Sequence, residues 1–214
     1  MSTILKFLLI AVVSYIIGNF QTGVVVGHIM GKIDVRSVGS KSTGTTNVLR
    51  TMGWLPSILT LAGDTLKGFL AAWLGMTLLG VWGMRLGGLC AVIGHNWPVF
   101  YKFKGGKGIA TSLGVIFMIN GFIAVGLIVL QIIVLVITRT MSVASIISAT
   151  TFFVVTLIVS FGDWWTVGYA LLLASMIYYT HRENLDRLRK HKENTLDFAE
   201  IDRISREKNA KTQK

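Results

Sequence analysis

Residues 109–138 read I-A-T-S-L-G-V-I-F-M-I-N-G-F-I-A-V-G-L-I-V-L-Q-I-I-V-L-V-I-T, an apolar run of 30 residues with Asn120-Gly121 near its middle. Whether this run crosses a membrane once or twice decides the topology of the whole chain. A hydrocarbon core about 30 Å thick is spanned by about 20 helical residues, so the run is long for one crossing, and Asn-Gly is a turn signal. One crossing gives six spans and places the polar segments that begin at Arg139 and His181 on opposite sides. Two short crossings give seven, with 38–50, 102–107, 139–145 and 181 onward on one side. The other side then holds only Lys6, Arg85 and Asp163 near its edges, as the positive-inside rule asks. The expected fold class is an all-α integral membrane protein with seven transmembrane helices, N-terminus outside and C-terminus cytoplasmic.

The remaining spans are expected at 4–30, 54–82, 86–100, 143–160 and 164–180. The chain has 214 residues, 52% hydrophobic and 14% charged, with a mean hydropathy of +0.64, too apolar for a soluble domain of this length. The first apolar segment lacks the short hydrophobic region and small-residue cleavage site of a signal peptide, so it is expected to stay as a membrane helix. The net charge of +11 comes from Lys and Arg in the gaps between apolar segments and in the tail. That placement suits anionic lipid headgroups and excludes nucleic acid as a partner. The lone Cys90 rules out a disulfide framework. Asn19, Gln21 and His28 in the first segment suit interhelical hydrogen bonds or substrate contact. Asp64 and Lys67, three apart on one helix face, are expected to form an ion pair. One multi-pass domain is expected over 1–193, followed by a charged cytoplasmic tail over 194–214, a solvated or lipid-surface helix.

The chemistry lies in three polar segments. Val38 to Arg50 reads V-G-S-K-S-T-G-T-T-N-V-L-R, with Lys32, Arg36, Lys41 and Arg50 around five Ser/Thr residues and Asn47. Gly39 and Gly44 let backbone amides turn inward, as in phosphate-binding nests. Phe103 to Thr111 reads F-K-G-G-K-G-I-A-T and opens a helix, so its amides and lysines can approach an anion. The nucleotide P-loop spacing is absent. The third segment, H-R-E-N-L-D-R-L at 181–188, supplies a histidine and an amide. In the seven-span topology these segments converge on one membrane face and suit transfer chemistry on phosphorylated substrates. No serine lies in a nucleophile elbow, no metal-ligand spacing occurs, and His28, His95, His181 and His191 are scattered. Neither metal nor cofactor is expected.

These three segments, together with G-H-N-W-P-V-F at 94–100, resemble in order and hydropathy the bacterial acyl-phosphate:glycerol-3-phosphate acyltransferase family (PlsY) over residues 1 to about 193. The resemblance implies an enzyme that moves an acyl chain from acyl-phosphate to the 1-hydroxyl of sn-glycerol 3-phosphate, giving lysophosphatidate and phosphate. It implies a bacterial plasma (inner) membrane protein with a cytoplasmic active site, membrane lipids around it, and room for transient contact with the soluble enzyme that makes acyl-phosphate. Carried over by motif, Ser40, Lys107, His181 and Asn184 would be catalytic. Thr46, Asn47, Arg50, Gly106 and Ser145 would bind substrate or phosphate. Two bases stay open: His181, or a substrate phosphate oxygen with His181 and Asn184 orienting glycerol phosphate. Other glycerolipid acyltransferases carry H-x-x-x-x-D. His181 and Asp186 have that spacing, within a charged segment better matched by H-R-x-N-x-x-R-L. Lys41 and Ser42 replace the usual Gly and Asn of the first loop, and His191 stands where a glycine is common. A membrane transporter of a small phosphate ester is the alternative, with Asn19, Gln21, Asp64 and Lys67 lining a path.

Overall fold

The computed structural model describes residues 2–212, with side chains described through Lys208. The described residues form helices and no strand. They group into two compact units, one of residues up to Gly114 together with those from Asp197 on, the other Val115–Leu196. Four segments are long and apolar enough to cross a membrane: Thr3–Gly31, Trp54–Tyr101, Gly121–Thr138 and Met141–Val159.

In the first unit, the segment expected as one span is broken. Helix α1 (Thr3–Asn19) stops at Phe20, and α2 (Thr22–Gly31) restarts after Gln21. The break is stable because tertiary partners take up what it exposes: the Phe20 carbonyl accepts the Lys67 ammonium at 2.5 Å. Inside a bilayer a freed carbonyl has no bulk water to turn to and needs a partner of this kind. A loop then leads to α3 (Thr45–Met52), whose apolar face packs Val48 and Met52 on Val35 of the loop.

Helix α4 (Trp54–Asn96) counts 43 residues, which would reach about 65 Å if straight. Instead Leu79 and Gly80 leave helical geometry and the two arms fold back on each other. A Cβ on Gly75 would lie 1.9 Å from the Gly83 carbonyl oxygen, so only glycine permits this approach. The reversal expected between 82 and 86 therefore falls at Leu79-Gly80, where Gly80 takes φ +60°. Helix α1 lies along the second arm through Gly18 and Gly94, whose Cβ positions are filled by the Ala91 and Tyr15 carbonyls, the small-residue contact typical of membrane helices. A short turn, Val99–Tyr101, leads to the second glycine loop.

Helix α5 (Ile109–Ile119) begins in the first unit and ends in the second. The Asn120-Gly121 signal is a true interruption: Asn120 caps α6 (Gly121–Thr138), its side chain accepting from the Ile123 amide at 3.1 Å. In the second unit α7 (Met141–Val159) packs against both α6 and α8 (Trp164–Thr180). Gln131 of α6 accepts from Ser148 of α7 at 2.7 Å, and Thr150 of α7 bonds Tyr178 of α8 at 2.7 Å. Helix α9 (Arg182–Arg189) follows directly on α8.

The charged tail carries a packed face. Helix α10 (Phe198–Thr212) returns to the first unit, stacking Phe198 on Trp54 with ring centroids 6.2 Å apart. Trp54 also donates from Nε1 to Asp202 at 2.7 Å and from its amide to Ser205 at 3.1 Å, and Ile201 is buried.

Candidate active site

The first loop is organised from within by Asn47. Its Oδ1 accepts from the Ser40 amide at 2.8 Å, and its Nδ2 donates to the carbonyls of Val35 at 2.7 Å, Ser42 at 2.9 Å and Val38 at 3.2 Å. With Asn47 1% exposed, its amide is spent on shaping the loop. Gly39 takes φ +58°, and a Cβ there would lie 2.3 Å from the Asn47 oxygen. Lys41 takes the same left-handed φ of 58°, a region that disfavours side chains. Thr46 and Arg50 lie four apart on α3, one above the other. Ser40 is exposed and Arg50 half-buried.

At the loop's entrance Asp34 accepts from the Arg36 guanidinium through both oxygens, at 2.9 and 2.8 Å. That partner holds the Asp34 carboxyl below the usual carboxylate range. Arg36 also lies over the Tyr101 ring, 5.3 Å from its centroid.

The second loop wraps the end of α4. The Gly106 amide donates to the His95 carbonyl at 3.1 Å. A Cβ on Gly106 would meet the His95 ring at 2.1 Å, and one on Gly108 would meet the Asn96 amide at 2.7 Å. The glycines are thus needed for close packing on His95-Asn96, and they place Lys107, half-buried, between two such contacts. Asn96 is 4% exposed, and neither polar atom of its side chain has a partner among the described residues. The buried hydroxyls of Thr111 and Ser112 share that condition. Buried polar atoms without partners are rare and mark places where a ligand or water completes the set.

Behind both loops lies a network inside the membrane span. Asp64 and Lys67 form the expected ion pair at 2.8 Å. Lys67 also donates to the His95 Nδ1 at 2.8 Å, and Thr22 donates to Asp64 at 3.0 Å. Lysine can only donate, so the Nδ1 of His95 is its acceptor and the ring proton sits on Nε2.

In the second unit His181 ends α8 and is 3% exposed. Its Nδ1 lies 2.8 Å from the Ile177 carbonyl, which can only accept. The proton is therefore on Nδ1, and Nε2 is the basic nitrogen. Asn184 donates to Glu193 at 2.6 Å. Glu193, the last residue of the expected 1–193 domain and in none of the three polar segments, also accepts from Ser142 at 3.1 Å and Arg187 at 2.8 Å. Ser145 is buried and takes a bond from Gln131 at 3.4 Å. The site residues carried over by motif therefore fall into two groups: Ser40, Thr46, Asn47, Arg50, Gly106 and Lys107 in the first unit, and Ser145, His181 and Asn184 in the second.

The family model for glycerol-3-phosphate acyltransferase matches residues 8–191. The chain belongs to the glycerol-3-phosphate acyltransferase family. It is 42% identical over 184 residues to the glycerol-3-phosphate acyltransferase of Alkaliphilus metalliredigens, covering 85% of this chain and 92% of the relative. With that of Desulforudis audaxviator it shares 41% identity over 197 residues, 91% of this chain and 98% of the relative. It resembles the crystal structure of PlsY, an integral membrane glycerol 3-phosphate acyltransferase, in its glycerol 3-phosphate form. The TM-score is 0.84 and the identity 34%, with 91% of this chain and 98% of that one covered. The lysophosphatidic acid form gives 0.82 and 32%, covering 91% and 97%. The chain is an integral membrane acyltransferase acting on glycerol 3-phosphate, and phospholipid synthesis is its context.

Proposed function

We propose that this acyltransferase takes its acyl chain from acyl-phosphate and places it on the 1-hydroxyl of sn-glycerol 3-phosphate. The hydroxyl oxygen attacks the acyl carbonyl carbon, the bond from that carbon to the phosphate oxygen breaks, and inorganic phosphate leaves with lysophosphatidate as product. The observation that supports the acceptor and product is the solved relative in glycerol 3-phosphate and lysophosphatidic acid forms; the acyl-phosphate donor rests on the resemblance of the three polar segments.

An acyl-phosphate is a mixed anhydride with a good leaving group, so the protein needs to neutralise and position two phosphates and remove one proton. Ser40, Thr46, Arg50, Gly106 and Lys107 serve the phosphates. Asn47 serves them indirectly, by holding the Ser40 amide. His181 takes the hydroxyl proton on Nε2, the nitrogen that its bond to Ile177 leaves basic, and Asn184, steadied by Glu193, orients the glycerol. Ser145 completes the second unit's group. The alternative base is a substrate phosphate oxygen.

In this proposal the chain crosses the bacterial plasma membrane seven times, N-terminus outside, with its active site on the cytoplasmic side. Residues 1–193 act as one catalytic domain and 194–214 as a cytoplasmic tail. The enzyme meets the soluble producer of acyl-phosphate transiently. Phosphate-ester transport loses its motive, because Asp64 and Lys67 are consumed by each other, by Thr22 and by a helix break.

The test is purified protein in lipid or detergent with labelled glycerol 3-phosphate and palmitoyl-phosphate, palmitoyl-CoA or palmitoyl-carrier protein as donors. Lysophosphatidate from palmitoyl-phosphate alone is expected; product from the thioesters instead would overturn the donor and bring back His181 and Asp186 as an H-x-x-x-x-D pair.

A further inference from the structure

Gln21 occupies the break between α1 and α2 and is fully buried, 0% exposed. A polar side chain removed from water there must have both ends of its amide satisfied, because an unpaired donor or acceptor costs more than a hydrogen bond returns. Its two partners belong to different elements, Thr43 to the first loop and His95 to the end of α4, around which the second loop wraps. Oε1 accepts from the Thr43 hydroxyl of the first loop at 2.6 Å. Nε2 donates to the His95 carbonyl at 3.2 Å, the same oxygen that holds the Gly106 amide of the second loop at 3.1 Å.

The chain from Thr43 through Gln21 and His95 to Gly106 is therefore four groups long and buried throughout: Thr43 is 1% exposed and His95 2%. It is anchored on the helices as well. The Thr43 carbonyl sits against Gly23, where a Cβ would lie 2.0 Å away, and the far side of the His95 ring is held by Lys67. Thr43 is thus held against Gly23 and His95 against Lys67, and the amide of Gln21 is the piece that ties the first loop to the end of α4 and, through the His95 carbonyl, to the second loop.

We propose that Gln21 is a positioning residue of the acyl transfer, setting the spacing of the two phosphate loops, which rests on the function proposed above. Gln21 touches no substrate in this account. It acts by keeping Ser40 and Arg50 of one loop in register with Gly106 and Lys107 of the other, and a displacement of about 1 Å between such groups lowers turnover by about 10²-fold.

The experiment uses the full chain in detergent or lipid, with Thr43→Val, Gln21→Met and the double variant, and Thr43→Ser as the conservative control. Thr43→Val and Gln21→Met are each expected to lower kcat/KM about 10- to 100-fold. Tm should fall by only about 2–4 °C for each bond lost. The double variant should be no slower than the worse single one, since both cut the same link, and Thr43→Ser should behave as wild type. A merely structural role would lower Tm and the active fraction and leave the constants of the folded enzyme alone. Hydrogen exchange gives the second readout: Thr43→Val should speed exchange of the backbone at 103–108, more than fifty residues away in sequence. Unchanged exchange there, wild-type kinetics in the single variants, or multiplicative losses in the double variant would each overturn the proposal. If the wild-type protein makes no lysophosphatidate from any donor, the acyl-transfer function fails by itself, and the exchange result alone decides whether Gln21 couples the loops.

Discussion

The Lys67 ammonium lies 2.5 Å from the Phe20 carbonyl oxygen, across 47 residues of chain. A lysine in the second membrane segment thus caps a helix broken in the first. Breaking a helix inside a bilayer frees carbonyls that lipid cannot satisfy, and a bare lysine there would be as costly. Each problem resolves the other, with Asp64 supplying the countercharge at 2.8 Å.

Lys67→Met should therefore be among the most destabilising single changes in the first unit. It leaves Asp64 buried without its cation and Phe20 without its donor, a loss of about 3–5 kcal/mol on the scale of broken buried pairs. Asp64→Asn together with Lys67→Met should recover part of that loss, because no charge is then stranded. Thermal unfolding in micelles checks both; a double variant less stable than the sum of the singles would sink the account.

His181→Ala and Lys107→Ala should each remove most turnover while the protein stays folded. A positioned base contributes about 10²- to 10⁴-fold, and a lost charge beside the leaving phosphate is of similar weight. Steady-state kinetics with palmitoyl-phosphate, read beside the unfolding profile, are the measurement, and near-normal activity in both variants would remove the site assignment.

Glu193 gathers Ser142, Asn184 and Arg187 on one carboxylate. Glu193→Ala should release Asn184 and leave Arg187 unpaired there, lowering both Tm and kcat. Glu193→Gln keeps an oxygen for Asn184 and should be milder. Equal losses in the two variants would show that charge, and not the bond to Asn184, is what matters.

Asn96 presents the opposite balance of stability and activity. Its buried amide has no partner among the described residues, so Asn96→Leu, with the same branched shape, removes an unsatisfied group and should leave Tm unchanged or higher. Activity should nonetheless fall if that amide completes the substrate's polar shell beside Gly108. Wild-type kinetics in Asn96→Leu would reduce Asn96 to packing.

Lys41 holds a left-handed backbone at φ 58°. Lys41→Gly should relax it and raise stability by up to about 1 kcal/mol, the size of the side-chain penalty in that region after the entropy of glycine is deducted. A lower Tm in Lys41→Gly would mean that the lysine makes a contact worth more than the strain.

The sequence by itself determined where the apolar segments lie, that Asn120-Gly121 interrupts one of them, that Asp64 pairs with Lys67, and which family the three polar segments belong to. Each of these is local: hydropathy, turn chemistry and spacing of three or four residues are properties of neighbours along the chain. Only the tertiary structure decided that the first segment breaks at Phe20-Gln21, that Asn47 spends its amide inside its own loop, that Glu193 steadies Asn184, and that Gln21 joins two loops. Asn47 and Gln21 look alike in sequence as amides near a polar gap. What separates them from surface amides is burial away from water, where every polar atom must find a partner and the partner can come from any distance along the chain.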